Sequence, residues 1–145
     1  MMQRWIILLL ALFTSTALAE STPAGLWRTI DDHTGKEKSL VRIVEVNGEF
    51  RGKIEKLFRE HGEDPNPNCE KCTGDKKNKP VIGMMILTGL KKDNSQWAGG
   101  EILDPQNGKT YRCKVWLENK GQNLHVRGFI GMALLGRTQI WKREE

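Results

Sequence analysis

The sequence lacks long stretches in which apolar residues recur with the period of an α-helix, and this argues against a helical domain. After residue 19 it also lacks an apolar run long enough to span a bilayer as a helix. Its 23 basic and 18 acidic residues are interspersed, apart from Lys76, Lys77 and Lys79, and no basic stripe with stacking aromatic residues is present. We therefore expect neither a transmembrane segment after residue 19 nor a nucleic-acid partner.

The first residues have the organisation of an export signal. A short basic start at residues 1–4 precedes an uncharged apolar run at 5–13, and Ala17-Leu18-Ala19 forms a small-x-small site. This order predicts a signal peptide over residues 1–19 that is cleaved after Ala19, which indicates a periplasmic or secreted protein. Cleavage would lower the formal charge from +5 to +4 by removing one Arg. Residues 20–145 are enough for a single domain.

Short runs with period-two alternation, separated by Gly, Asn, Asp and Pro, fill the mature chain. They predict an all-β domain. A long loop over 59–80 interrupts the pattern, and the Asn47-Gly48 dipeptide is typical of a hairpin turn. Sequential hairpins favour a single eight-stranded up-and-down antiparallel barrel, with a two-sheet sandwich as the alternative. We place the strands at 25–30, 39–46, 50–58, 81–90, 96–103, 109–117, 122–130 and 137–142.

Two of the three cysteines, Cys69 and Cys72, lie three positions apart in the long loop. Export would place them where disulfides form, so one interpretation is a local disulfide that fixes the loop. A second is a redox-active pair, since closely spaced thiols can lower one another's pKa, but the βαβ context of such pairs is absent. A third is a metal site with His61 as a further ligand. We expect the disulfide, and neither a metal nor a cofactor.

The third cysteine, Cys113, lies on the apolar face of the sixth predicted strand. A free cysteine in such a position usually packs as a small apolar side chain. A reactive thiol would need a basic neighbour, for which His125 is the candidate. The sequence contains no recognisable catalytic constellation, so we expect a protein without enzymatic activity.

Trp27 opens the first strand in a Gly25-Leu26-Trp27 motif. An Arg from the last strand, Arg137 or Arg143, could stack on its ring at one end of a barrel. The Gly-x-Trp motif with a late Arg resembles the structural signature of lipocalins and related calycin barrels. The resemblance implies structural roles for Gly25, Trp27, Arg137 and the late Trp141.

A closer resemblance covers nearly all of the mature chain. The motifs that carry it are Gly25-Leu26-Trp27, Cys69-x-x-Cys72-x-Gly74, Lys79-Pro80, Gly83, Gly100, Ile102 with Asp104-Pro105, and the run from 126 to 141, above all Arg127-Gly128-Phe129-Ile130-Gly131 and Leu134-Leu135-Gly136-Arg137-Thr138-Gln139. They resemble a family of small exported bacterial proteins that is defined only as domain of unknown function 2147. The resemblance implies a lipocalin-like barrel and an envelope location, and it assigns no catalytic residue.

An eight-stranded barrel of this size is either packed solid or holds one small ligand. Our hypothesis is that this barrel binds a small, partly apolar molecule or lipid. Arg42, Glu101 and Arg127 are the polar residues that we predict as candidates for lining the cavity. The alternative is an envelope structural or protein-interaction module, and a thiol-redox or metal-binding protein is a third hypothesis.

The run from Ile130 to Leu135 contains five apolar side chains, and it includes Gly131 and is followed by Gly136. It either folds inward as a plug or stands out as an adhesive loop that contacts a membrane or partner. We favour the inward arrangement because the glycines permit a tight return of the chain.

Overall fold

A computed structural model describes residues 21–145 of the chain. The predicted signal peptide at 1–19 falls outside the described residues. Eight antiparallel strands form a closed barrel in which every strand pairs with the next and the last with the first. The prediction of an all-β, eight-stranded, up-and-down barrel is therefore confirmed.

The strands are joined by hairpin turns, except for the long link between the third and fourth strands. Their bounds are β1 Gly25–Ile30, β2 Glu37–Val46, β3 Glu49–Leu57, β4 Met85–Asp93, β5 Gln96–Asp104, β6 Lys109–Glu118, β7 Asn123–Phe129 and β8 Arg137–Arg143. Two short 3₁₀ turns, Gly74–Lys76 and Ala133–Leu135, lie in the connecting loops.

Turn chemistry explains the tight connections. Asn47 and Gly48 both have positive φ, as expected for the hairpin between β2 and β3. The ladder between β5 and β6 shifts its register between Trp97 and Gly100, next to the Gly99-Gly100 pair. The fourth strand begins at Met85 rather than at Val81, because the chain turns at Gly83, where φ is +88°.

One end of the barrel is packed solid. Alternate residues of the strands, including Val41, Ile43, Leu87 and Leu90, are at most 1% exposed and belong to a continuous core. Trp27 is fully buried at this end. The interior polar groups need partners when they are removed from water, and the Trp27 Nε1 donates to the carbonyl of Pro23 at 2.8 Å.

The run that follows β7 does not fold inward as we expected. Ile130, Met132, Leu134 and Leu135 are 65–81% exposed. The chain forms its return with the Ala133–Leu135 3₁₀ turn, and the four large side chains point away from the barrel. The inward arrangement is wrong because Arg127, on the outer face of β7, binds the carbonyls of Ala133 and Leu134 and so holds the return of the chain on the outside.

Candidate functional site

A cavity of about 1140 Å³ opens at the end of the barrel opposite Trp27. Its walls come from the late parts of β1, β3, β5 and β7 and the early parts of β2, β4, β6 and β8, together with the loops that join them. The volume includes the funnel between these loops. It is sufficient for a small organic ligand, since ligand sites are usually concave and a few hundred cubic ångströms or more in volume.

The inner wall of the cavity is mostly apolar, with a few polar groups. Trp141 is 2% exposed and forms part of the floor. Thr29 and Ser39 face each other across β1 and β2, with 2.7 Å between their hydroxyl oxygens. Other inward positions that line it include Ile54, Ile102, Tyr111, Val126, Gly128 and Gln139.

Charged side chains surround the mouth of the cavity and connect its loops. Lys36 in the turn between β1 and β2 pairs with Glu60 beyond β3, and Arg137 pairs with Asp32 of that turn. The hydrogen bond from Arg137 lowers the pKa of the Asp32 carboxyl, and the hydrogen bond that Lys36 donates to Glu60 raises the pKa of Lys36. Both pairs are solvent-exposed on at least one side, so they contribute little stability. They connect the turn between β1 and β2 to the loop after β3 and to the start of β8.

The Cys-bearing loop, defined as residues 58–84, extends one wall of this cavity. Ile86 and Leu103 alternate to the outer face of β4 and β5, yet both are buried. They share one core cluster with Cys69, Cys72 and Val81. The loop therefore covers the outside of these strands, and its Pro67, Asn68 and Val81 line the same cavity as the barrel interior.

A disulfide joins Cys69 and Cys72, which confirms the predicted local bond. Both residues are 1% exposed. The Cys69 amide donates to the Lys79 carbonyl at 2.7 Å, and the Asn78 amide donates to the Cys69 carbonyl at 2.8 Å. These hydrogen bonds join the two arms of the loop, which are the segments before and after the Gly74–Lys76 turn. Because both thiolates are used in the bond, the metal site that we considered with His61 loses two of its three ligands. Within residues 21–145 no cluster of three His, Cys, Asp or Glu side chains could hold a metal.

The packed end carries the stacking pair expected from the sequence, with Arg143 as its cation. The Arg143 guanidinium carbon lies 4.2 Å from the centroid of the Trp27 ring. Its nitrogens donate to three backbone carbonyls, those of Gly121 at 2.8 Å, Ala24 at 2.9 Å and Thr22 at 2.9 Å. Desolvation lowers the pKa of this guanidinium, and the stacked ring and carbonyls compensate the buried charge.

The family model described as "Uncharacterized protein conserved in bacteria (DUF2147)" matches residues 25–143. The chain belongs to this family. The match spans every strand of the barrel, and it confirms the resemblance that the motifs indicated. No protein with a curated description matches the sequence at a significant level.

A solved structure gives an independent comparison for this DUF2147 protein. It is that of HP1028 from the human pathogen Helicobacter pylori, a protein described as a member of the lipocalin family. The TM-score is 0.73 at 22% sequence identity, and the alignment covers 87% of this chain and 85% of that one. This likeness shows that the fold is lipocalin-like.

In the DUF2147 barrel, the polar residues that we predicted for the cavity lie on the outer surface. Arg42 alternates with the inward Val41 and Ile43, and it pairs with Glu55 at 2.9 Å. Glu101 is exposed and lies opposite Arg112 on the neighbouring strand. Neither residue lines the cavity, because strand alternation turns both away from it.

Arg127 is also outside the cavity, but it has a definite structural role. Its Nε donates to the carbonyl of Ala133 at 2.6 Å, its Nη2 to that of Leu134 at 3.1 Å and its Nη1 to the hydroxyl of Thr138 at 2.8 Å. One side chain therefore links the 3₁₀ turn of the loop between β7 and β8 to the start of β8. The structure does not bring Arg42, Glu101 and Arg127 together.

Arg137, which we considered as the partner of Trp27, is at the opposite end of the barrel. It occupies an inward position at the mouth and reaches across to Asp32.

Sequence reasoning missed Thr29 and Ser39 as cavity residues. Both lie on the apolar faces of their strands, two positions from Trp27 and Val41 respectively, and a small polar residue at such a position was the available signal.

Cys113 is a buried, free thiol on the inner face of β6. Burial raises its pKa to about 12, so the thiolate that acts as a nucleophile is suppressed at neutral pH. His125 lies on the outer face of β7, where its ring stacks on Trp116 at 5.2 Å and its Nε2 is 3.0 Å from Glu118 Oε2. The prediction of a buried structural thiol fits this geometry, and the His125 pairing does not.

Proposed function

We propose that this barrel is a binding protein for a small, largely apolar molecule that enters through the open end. The observation that carries the proposal is the cavity of about 1140 Å³, which has a buried apolar floor and an opening to solvent. Lipocalin-like barrels of eight strands have interiors wide enough for one such ligand.

The distribution of polar groups supports a ligand with an apolar body and a polar end. Deep in the cavity, Val126, Ile54 and Trp141 offer apolar surface, while the Thr29–Ser39 hydroxyl pair and Gln139 offer hydrogen bonds. The charged residues lie at the rim. A molecule of this chemistry, such as a fatty acid or a lipid fragment, would bury its chain and leave its polar group near the mouth.

Gly128 offers a way to test the proposal. It lines the cavity, and a Cβ added there would come no closer than 3.6 Å to Tyr111 and 3.7 Å to Ile102. The substitution Gly128→Leu should therefore place a side chain in the free space without a backbone clash. We expect the affinity for a dansyl-labelled fatty acid, followed by fluorescence titration, to fall by at least about tenfold.

The matched control is Ile140→Phe, which adds bulk at a 41% exposed position on the outer face of β8. This variant should bind the labelled fatty acid as the unchanged protein does. Equal affinity in all three proteins, or no binding by any of them, would contradict the proposal. Circular dichroism and thermal unfolding of each variant would show that loss of binding does not come from loss of folding.

We also propose that the protein acts in the cell envelope or outside the cell. The disulfide in the Cys-bearing loop supports this location because disulfides persist in oxidising compartments. Among the residues that the structure describes, no helix is long and apolar enough to cross a membrane. The intact mass of protein purified from its own cells tests the export step, and cleavage after Ala19 predicts a chain that starts at Glu20.

A further inference from the structure

The loop between β7 and β8, residues 130–136, is unlike the other short turns of the barrel. Leu134 and Leu135 are 81% and 78% exposed, and Ile130 and Met132 are 69% and 65% exposed. A turn that merely joins two strands needs only two residues. Clustered exposed apolar side chains are costly in water and typically mark a surface for interaction.

The loop is held firmly in this exposed position. Arg127 donates two hydrogen bonds into it, to the carbonyls of Ala133 and Leu134, and a third to Thr138 at the start of β8. Within the loop, the Leu135 amide donates to the Met132 carbonyl at 3.0 Å. Gly136 passes so close to β7 that a Cβ there would lie 2.6 Å from the Gly128 carbonyl oxygen. The apolar tip is thus pre-organised, which reduces the entropy cost of binding.

Positive charge lies beside this tip on the outer face of the barrel. Arg112, Lys114 and Arg127 occupy neighbouring positions on β6 and β7, where Lys114 is the direct partner of Arg127. None of the three forms an ion pair with another residue in the part of the chain described, 21–145. Two carboxylates lie on the same outer face, Glu101 opposite Arg112 and Glu118 further along β6, so the three cations leave the face with a net positive charge.

We propose that the 130–136 loop docks the barrel on a bilayer that contains anionic phospholipids. A protruding apolar tip beside cations is the arrangement with which proteins bind membrane interfaces, because apolar burial and attraction to anionic headgroups act together. Because its four large apolar side chains are 65–81% exposed, the tip stands out from the surface, as insertion into a bilayer interface requires. The loop starts from the rim of the cavity, whose wall includes Gly128 and Arg137 on either side of it, so docking would bring the mouth towards the membrane.

The test measures the partition of the full chain between solution and vesicles by sedimentation. One set of vesicles is pure phosphatidylcholine, and the other contains phosphatidylglycerol and phosphatidylcholine in a one-to-two ratio. We expect binding to the anionic vesicles that weakens as salt is raised. The double variant Leu134→Asp, Leu135→Asp should lose at least about tenfold in partition coefficient, and Lys114→Gln should lose about fivefold.

Val44→Asp is the matched control, because Val44 is a 44% exposed apolar residue on β2, away from this loop. It should bind like the unchanged protein. Binding does not require an occupied cavity, so the result stands apart from that of the fatty-acid titration. The proposal is overturned if the unchanged protein ignores anionic vesicles, or if the Leu134, Leu135 variant binds as well as Val44→Asp. It is also overturned if sedimentation velocity shows a dimer that the double variant abolishes while neither protein binds vesicles.

Discussion

At the scale of single residues, Gly108 determines how the Cys-bearing loop meets the barrel. It lies in the turn between β5 and β6 with φ of +71°, and a Cβ there would overlap the carbonyl oxygen of Lys71. Gly35, in the turn between β1 and β2, has almost the same φ of +72° but no heavy atom within 4 Å of an added Cβ. The two glycines therefore separate the effect of backbone conformation from that of close packing.

We predict that Gly108→Ala destabilises the protein more than Gly35→Ala. Each substitution places a Cβ in the left-handed region, which costs about 1 kcal/mol. Only Gly108→Ala also pushes the loop away from the turn, and we expect it to cost at least about 2 kcal/mol more. Urea unfolding of the two variants measures the difference. Equal losses would show that the loop does not rest on this turn.

The cavity residues show which parts of the site could be predicted at this scale. Arg42 lies within a run that is apolar on both faces, from Leu40 to Val44, so its direction depended on which face the closed sheet turned inward. The pairing of Val41 with Trp27 and Ile54 settles this and places Arg42 outside. Polarity alone suggested Arg42 as a site residue, whereas the hydroxyl pair inside the cavity, Thr29 and Ser39, is small and shares an apolar face with larger neighbours.

At the scale of elements, the strands were predictable because their alternation and turn residues agree. The first strand was predicted at its observed bounds, and the others differ by a few residues at the ends. The two segments without alternation, the Cys-bearing loop and the 130–136 loop, were not predictable. Their conformations depend on contacts with distant elements, such as the packing of Cys69 Sγ 3.4 Å from the Pro105 carbonyl oxygen, and on the Arg127 hydrogen bonds.

The Cys-bearing loop gives a prediction at this scale. The disulfide closes only a short segment, so its effect through chain entropy is small, about 2 kcal/mol. Its main consequence should be local, because the bonded pair is the buried anchor of a loop whose other residues are mostly exposed. We predict that the variant Cys69→Ala, Cys72→Ala stays folded but becomes susceptible to trypsin at Lys76 and Lys77.

Limited proteolysis followed by mass spectrometry tests this expectation, and Cys113→Ala is the control. Cys113 is buried within the barrel and lies outside the loop, so its loss should leave the pattern of cleavage unchanged at matched stability. A double variant as resistant as the unchanged protein would show that the backbone bonds between the two arms hold the loop without the disulfide.

At the scale of the whole molecule, the barrel divides into a packed end and an open end. The Trp27–Arg143 stack, the buried core and both chain ends of the barrel lie at the first. The cavity, the Cys-bearing loop and the 130–136 loop lie at the second. Stability and the proposed binding therefore depend on different residues, and loops at the mouth can vary without disturbing the core that closes the sheet.

Closure of the ring depends on its thinnest ladder. β1 and β8 share two paired positions, Trp27 with Arg143 and Arg28 with Lys142, whereas β6 and β7 share seven. Arg28 reinforces this seam by contacting Glu144 at 2.7 Å and Glu37 of β2 at 2.6 Å. Both carboxylates raise the pKa of Arg28, the hydrogen bond to Glu144 most of all. We infer that the seam is where the barrel opens first, since local opening follows the least supported contacts.

The last prediction follows from the charge of Glu144. Its bond to Arg28 lowers the pKa of the Glu144 carboxyl below its ordinary value of 4.5. A carboxyl whose pKa is depressed on folding stabilises the fold above the unfolded pKa, and this contribution is lost as pH falls through the folded pKa. Hydrogen-exchange protection at the Leu26 and Glu144 amides, which bond across the seam, should therefore hold from neutral pH to about 4.5 and then decline.

The variant Glu144→Gln tests the same contact without a change of pH. It should show several-fold lower protection at the Leu26 and Glu144 amides already at neutral pH, with the amides of Val115 and Val126 unchanged. Glu45→Gln, at an exposed position on β2, should match the unchanged protein. Protection that falls uniformly around the ring would mean that the barrel opens as one unit, without a weak seam.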